Sequence, residues 1–202
     1  MIGFALAGCG AGTAQERPSN AQLEALYRAR ADSARMRFTP ADVDFVTGMI
    51  HHHAQALVMA GYAPTHGAGS SIRTLAARII NAQQDEIGLM QRWLEDRHQP
   101  VPQVMVTNGT VMVHGADHDV SMPGMLTPEQ LAQLDRARGP EFDRLFLTFM
   151  IQHHDGALTM VEELIGHDAA AQDQAVFKLA SDVHADQTTE IARMERMLAA
   201  LP

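Results

Sequence analysis

The chain has 202 residues, of which 46% are hydrophobic and 19% are charged, a composition typical of a folded domain and not of a disordered protein. Its formal net charge of −9 and the absence of Lys/Arg runs exclude nucleic acid as an expected partner. Methionine is unusually frequent, since 13 Met accompany only 7 Phe. Met is a flexible packing residue, but its thioether also binds soft metal ions.

The first 20 residues differ from the rest. Residues 6–9 read Leu-Ala-Gly-Cys, which resembles the lipobox where bacterial lipoprotein precursors are cleaved and lipidated. The apolar segment is shorter than the roughly 20 residues that span a bilayer and lacks a basic region before it, so we expect the start of the chain to be truncated. We predict a lipid anchor at Cys9 and a flexible tether over residues 10–20. An ordinary disordered terminus is the alternative.

Helix signals organise the remaining chain. Residues 21–38 form a leading segment with a helix over 21–37, and residues 39–98 form a helix pair over 40–63 and 70–97. The first helix of this pair begins at Thr39-Pro40-Ala41-Asp42, with Thr as N-cap and Pro at the first helical position. Residues 99–138 form a linker with a β-hairpin turned at Asn108-Gly109 and a short helix from Thr127 to about 138. Residues 139–202 supply a second pair, over 140–166 and 169–200.

The two helix pairs repeat one phrase. The first copy is Phe45-x-x-x-Met49-Ile50-x-His52-His53-x-x-Ala56-x-x-Met59, and the second follows 101 residues later, from Phe146 to Met160. A further phrase recurs 104 residues later: Gln83-x-x-Glu86-Ile87-x-x-Met90 matches Gln187-x-x-Glu190-Ile191-x-x-Met194. Each pair has an apolar stripe that it cannot bury alone, so we predict an all-α fold, an antiparallel four-helix bundle.

The repeated polar residues lie on the predicted inner face. Positions 45, 49, 52, 56, 59 and 63 advance by four and three residues, which makes one inward seam. His52 lies on this seam and His53 at its edge, while Gln83 and Glu86 face them from the partner helix. One interpretation is a closed polar core that fixes helix register, with Gln83, Glu86, Gln187 and Glu190 bonding to the histidines. The other is a metal site, because thioether plus imidazole suits Cu(I) and Ag(I).

The linker contains a second candidate site. Within fourteen residues it carries Met112, His114, His118, Met122 and Met125. Tracts of this composition are associated with metal binding, but a mobile polar loop explains them equally well.

The doubled Met-Ile-x-His-His-x-x-Ala phrase, each copy followed by Gln-x-x-Glu-Ile-x-x-Met, resembles the domain of unknown function 305 family. This resemblance covers residues 40–200 and implies a ferritin-like bundle in a protein that is typically exported, in a family that includes a periplasmic copper-binding resistance protein. It implies metal ligands at Met49, His52, His53, Met59, Met90, Met150, His153, His154, Met160 and Met194. His51 is not counted, because Gln152 replaces it in the second copy.

We therefore expect an extracytoplasmic, lipid-anchored, non-enzymatic protein that sequesters or transfers Cu(I), with Ag(I) as a surrogate and a copper-handling envelope protein as a partner. Binding should weaken below about pH 6.5 as histidines protonate. One alternative is an envelope scaffold with a purely structural His/Gln/Glu core. A di-metal oxidoreductase is a weaker alternative, because only Glu95-Asp96-Arg97-His98 has the Glu-x-x-His spacing.

Overall fold

A computed structural model describes residues 17–35, 37–107, 110–115 and 122–202. The chain divides into two compact units, Met1–Ala34 and Arg35–Pro202. The described part of the first unit, residues 17–34, holds all but the last residue of the leading helix, α1 (Asn20–Arg35). The large apolar side chains of this helix, Leu23, Leu26 and Tyr27, are exposed. The lipidation predicted at Cys9 lies outside the described residues.

The second unit is built around two helix pairs. Its elements are α2 (Pro40–Gly61), α3 (Ser70–Glu95), β1 (Gln103–Thr107), β2 (Thr110–His114), α4 (Pro128–Arg136), α5 (Pro140–Gly166) and α6 (Gln174–Ala199). Helix α2 packs against α3, α5 packs against α6, and α2 also packs against α5. This arrangement confirms the predicted all-α bundle with a hairpin insertion. None of the helices within the described ranges is long and apolar enough to cross a membrane.

The start of α2 follows the predicted capping signal. Thr39 Oγ1 accepts a hydrogen bond from the Asp42 N–H at 3.2 Å, and the Asp42 carboxylate accepts one from the Thr39 N–H at 2.8 Å. This reciprocal capping box satisfies two backbone donors that the first helical turn leaves unpaired. Thr127 and Gln130 repeat the arrangement at the start of α4.

The start of α6 differs from the prediction, since this helix begins at Gln174 and not at residue 169. Ala169 and Ala171 have φ values of 62° and 54°, in the left-handed region that interrupts a helix. Asp173 is the N-cap and accepts hydrogen bonds from the N–H groups of Ala175 and Val176. The helix therefore begins at the first residue after a side chain that can cap it.

The predicted hairpin is present as β1 and β2. Antiparallel pairs run from Gln103 with His114 to Thr107 with Thr110, and the predicted turn residues Asn108 and Gly109 lie outside the described residues. Strand β2 packs against α2, so the insertion covers one side of the bundle.

The core shows that α2 and α5 run antiparallel. Residues from the first half of α2, such as Phe45, share an apolar cluster with Leu164 near the end of α5. Residues from the second half of α2 share another cluster with Phe142 and Phe146 near the start of α5. The middle of the seam, where the histidines lie, is therefore between the two clusters.

The segment 122–126 of the linker crosses the groove between α2 and α5. Gln55 clamps it through two hydrogen bonds, to the Leu126 carbonyl at 3.1 Å and from the Leu126 N–H at 2.7 Å. Helix α5 has Gly156 where the segment passes, and a Cβ there would lie 2.1 Å from the Pro123 carbonyl oxygen. Only a residue without a side chain permits this close approach, which brings the Pro123 carbonyl over the buried histidines.

Candidate metal site

Four histidine side chains meet in the centre of the bundle. His52 and His53 lie near the middle of α2, and His153 and His154 near the middle of α5. All four are completely buried. The imidazole centroids of His52 and His153 are 3.8 Å apart, with the rings tilted by 39°. His53, which the seam placed at an edge, is as deeply buried as His52.

Two of the histidines form matched pairs with glutamates of the neighbouring helix. The Nε2–H of His53 donates to Glu86 Oε2 at 2.6 Å, and the Nε2–H of His154 donates to Glu190 Oε2 at 2.8 Å. A carboxylate that accepts from one ring nitrogen leaves the lone pair of a neutral imidazole on the other. Metal-binding histidines are commonly oriented in this way. The second repeated phrase of the sequence thus supplies the glutamates that orient the histidines of the first phrase.

The inner histidines differ in their partners. The Nε2–H of His52 donates to the Pro123 carbonyl oxygen at 3.0 Å. Within the described ranges, neither ring nitrogen of His153 has a hydrogen-bond partner, nor has Nδ1 of the other three histidines. A buried polar atom without a partner costs about 1–3 kcal/mol, and five such nitrogens at one place could serve as ligands to a bound group.

Two buried amides add to this set. Gln83 on α3 and Gln187 on α6 are 2% and 3% exposed. Among the residues that the structure describes, neither amide atom of Gln83 and not the Oε1 of Gln187 finds a partner. The sequence repeat predicted both on the inner face, and a polar interior without internal bonding is what a binding site requires.

Burial keeps the inner histidines neutral. Desolvation, followed by the neighbouring His53, lowers the pKa of His52 to about 3, against the hydrogen bond to Pro123. Desolvation and the adjacent His52 likewise lower the pKa of His153 well below its ordinary value, against a weak contact with the His52 backbone that falls short of hydrogen-bond geometry. Neutral imidazole is the form that binds metals. Protonation of these two side chains therefore begins far below the pH of about 6.5 expected from the sequence.

The methionines form two groups that flank the histidines. One apolar cluster contains Met49, Met90, Met122 and Met160, and the other contains Met59, Met150 and Met194. Because α2 and α5 are antiparallel, each group combines methionines from both helix pairs. Met49 and Met59, which flank one His pair in the sequence, lie in different clusters.

The linker residues do not share one environment. Met112 on β2 is 41% exposed and His114 is exposed, whereas Met122 is buried in the first methionine cluster and Met125 packs against it. His118 lies outside the described residues. Across all the described residues, which include the four buried histidines, no group of three or more His, Cys, Asp or Glu side chains is arranged to hold a metal ion without ligands of another kind.

A buried ion pair and the Pro123 carbonyl were not predicted from the sequence. Arg97 Nη2 donates to Asp173 at 2.5 Å, and Trp93 Nε1 donates to the same carboxylate at 3.2 Å. This contact joins the end of α3 to the start of α6. Arg97 follows the end of α3 and Asp173 lies in the loop before α6, and neither position belongs to a periodic pattern from which the pair could be predicted. The Glu95-to-His98 phrase considered for a di-metal centre crosses the end of α3, with His98 at a φ of 55°.

The solved structures similar to this chain include those of one protein, CopM, with bound metal. A DUF305 fragment from Deinococcus radiodurans is 29% identical, with a TM-score of 0.67 over 81% of this chain and 99% of that one. A DUF305 protein from Streptomyces coelicolor that is thought to be secreted is 25% identical, with a TM-score of 0.65 over 79% and 92%. CopM in its Cu(I)-bound form is 27% identical, with a TM-score of 0.57 over 77% and 94%.

CopM is also known in Ag-bound and Cu(II)-bound forms, with TM-scores of 0.56 and 0.60. No functionally curated protein sequence matches the chain. The model of a family described as a domain of unknown function, DUF305, matches residues 42–198. The chain therefore belongs to the DUF305 family, as its doubled Met/His phrase predicted.

Proposed function

We propose that this protein is a non-enzymatic, extracytoplasmic copper-binding protein that holds Cu(I) between imidazole and thioether ligands in the centre of its bundle. The observation that carries the proposal is the set of five buried imidazole nitrogens without a partner in the described residues, flanked by two buried methionine groups. Cu(I) favours such soft and borderline ligands, and Met resists the oxidation that would inactivate exposed Cys.

The similar structures support this assignment. CopM, which is similar over three quarters of the chain, is known with Cu(I), Cu(II) and Ag bound, and Ag(I) is a common stand-in for Cu(I). The Streptomyces relative that is thought to be secreted supports a location outside the cytoplasm. A lipid anchor at Cys9 and transfer to a copper-handling envelope protein are further parts of the proposal.

Within the site, His53 and His154 each offer Nδ1, because the Nε2–H of each ring donates to its glutamate. His153 offers either nitrogen, and the methionines of the two clusters offer thioethers on each side. The matched His–Glu pairs fix ring orientation before the metal arrives, which lowers the entropy lost on binding.

The test is an anaerobic titration of the protein with Cu(I) in competition with a chromophoric chelator. We expect tight, stoichiometric uptake by the wild-type protein. The affinity for Cu(I) should fall by an order of magnitude or more in the double variant H53A/H154A. The matched control is Met105→Leu with His184→Gln, two exposed positions that should leave uptake unchanged. Uptake equal to wild type in H53A/H154A, with helicity retained by circular dichroism, contradicts the proposal.

A cell-envelope scaffold with a structural core is a second candidate, favoured by the closed hydrogen bonds of His53 with Glu86 and His154 with Glu190. The two functions differ in one readout. If the core is purely structural, replacing the inner histidines His52 and His153 by Leu leaves the affinity for Cu(I) unchanged. The copper proposal predicts that this affinity is lost.

A further inference from the structure

A cavity of about 650 Å³ opens at the end of the bundle where α2 begins and α5 ends. Its wall includes two methionines, one histidine and three acidic residues: Met122, Met160, His167, Asp44, Glu163 and Asp168. Thioether and imidazole groups bind soft cations, and the three carboxylates add negative charge beside them. The cavity lies outside the group of four histidines.

The two methionines connect this cavity to the interior. Met122 and Met160 are 9% and 7% exposed, and they belong to the same apolar cluster as the fully buried Met49 and Met90. The cavity wall is therefore the outer face of one of the two methionine groups. An ion that contacts these thioethers is still accessible to solvent.

The charges at the cavity favour a cation. Asp44, Glu163, His167 and Asp168 are exposed at its rim, and the last three lie at or just beyond the carboxyl end of α5. The carboxyl end of a helix carries partial negative charge, which adds to that of the carboxylates. The amino end of α2 carries partial positive charge at the same cavity, and the Asp42 carboxylate of the capping box lies in its first turn and offsets that charge.

The opposite end of the bundle lacks these features, although the helix phrases repeat. At the matched positions 101 residues away, the larger Phe142 stands for Ala41, Leu145 for Asp44, Tyr62 for Glu163 and Gly67 for Asp168. Phe142 is fully buried and stacks with Phe146, with ring centroids 5.7 Å apart. His66, which matches His167, is buried and donates to the Asp135 carbonyl at 2.8 Å. One end is thus filled with aromatic and apolar side chains, while the other is open, acidic and lined with thioethers.

We propose that this cavity is a second, solvent-accessible binding site for Cu(I) or Ag(I), with the thioethers of Met122 and Met160 and the imidazole of His167 as ligands. The carboxylates at the rim raise the local cation concentration and speed association. The inference rests on the proposed function in assigning the same cargo. It shares the thioethers of Met122 and Met160 with one of the two methionine groups, but its imidazole is His167 and not one of the four central histidines. It gives the metal a place to bind at the surface beside the buried methionine group.

The test is a titration of the full chain with Ag(I), read by NMR of ¹³C-labelled methionine methyl groups and histidine rings. We expect the Met122, Met160 and His167 signals to shift together, and M122L/H167Q to bind one equivalent less than wild type. Leu for Met conserves volume and is well tolerated in a core. The matched control M105L/H184Q changes the same residue types at exposed positions and should bind as wild type.

Two further results separate this site from the histidine centre. In M59L/M150L, which alters only the opposite methionine cluster, the shifts at Met122 and His167 should persist. Shifts at the cavity without shifts at His53 and His154 support this site and contradict the proposed function, and the reverse pattern does the opposite. Two results together overturn the inference: M122L/H167Q binds as many equivalents of Ag(I) as wild type, and the Met122 signal of the wild-type protein does not shift.

The carboxylates are tested by rate. E163Q/D168N should slow Ag(I) association several-fold at low ionic strength, and added salt should reduce the difference. The control E162Q/E195Q removes the same charge from exposed positions that do not line the cavity. Equal association rates for the two variants would remove the proposed role of the rim.

Discussion

Replacing His153 by Leu should stabilise the metal-free protein while removing one ligand of the proposed metal site. His153 is completely buried, and within the described part of the chain both of its ring nitrogens are without a partner. Leu has a similar volume and no polar atoms. Removing one unsatisfied donor and one unsatisfied acceptor should therefore raise the free energy of unfolding by about 1–3 kcal/mol, less the lost contact with the His52 ring at 3.8 Å.

The gain should grow as the pH falls. The pKa of His153 is lowered well below 6.5 by desolvation and by the adjacent His52, so the unfolded chain binds a proton at this residue that the folded protein does not. His153 therefore leaves the free energy of unfolding unchanged well above pH 6.5 and lowers it as the pH falls below 6.5, because only the unfolded chain takes up the proton. Between pH 7.5 and 5.5 this linkage amounts to about 1 kcal/mol, a loss that the Leu variant does not suffer.

Urea unfolding of the metal-free proteins at pH 7.5 and 5.5, followed by circular dichroism, measures both effects. We expect a higher urea midpoint for H153L at pH 7.5 and a wider gap at pH 5.5. The exposed His184→Leu is the control and should change neither. A variant less stable than wild type at both pH values would mean that His153 is a satisfied structural residue, and the metal assignment would lose its main support.

Two other substitutions test the framework of the site. Asp173→Asn breaks a buried pair with Arg97 and should cost about 3–5 kcal/mol in chemical denaturation. Burial opposes ionisation of Asp173, but hydrogen bonds from Arg97, Val176 and Trp93 outweigh it and lower the pKa, so this contribution should be lost as wild-type protein is acidified below pH 3.8. Gly156→Ala places a methyl group against the Pro123 carbonyl and should destabilise by about 1–3 kcal/mol, whereas Gly166→Ala, with open space around its Cβ, should not. Equal unfolding free energies for the two glycine variants would show that segment 122–126 does not pack as described.

The fold was predictable because its signals are local and periodic. The four- and three-residue spacing from Phe45 to Met59 defines one buried seam, and the capping residues Thr39 and Thr127 mark where helices begin. The start of α6 was less predictable, because several residues before Asp173 are compatible with a helix. There the left-handed Ala169 and Ala171 are set by contacts that have no sequence pattern, such as the bond from the Ala171 N–H to Asp42.

The composition of the site was predictable in part. Spacing placed His52 and Glu86 on facing stripes, and the structure brings the His53–Glu86 pair together. Met49 and Met59 lie on the same seam as His52, but ten residues of helix extend about 15 Å. The methionines instead group across the antiparallel helices. Such groupings depend on the packing of α2 against α5, which a single-helix pattern does not contain.

The linker makes the two matched half-sites unequal. By sequence, His52 and His153 occupy equivalent positions, and the two His–Glu pairs have nearly equal lengths, 2.6 and 2.8 Å. The Pro123 carbonyl, however, holds Nε2–H of His52, while His153 keeps both nitrogens available. The close approach that permits this bond needs Gly156, which stands where the first copy has Gln55. Under the proposed function, a metal at the centre meets one imidazole fixed in its tautomer and one that can adapt, so replacing His153 separates binding from folding most directly.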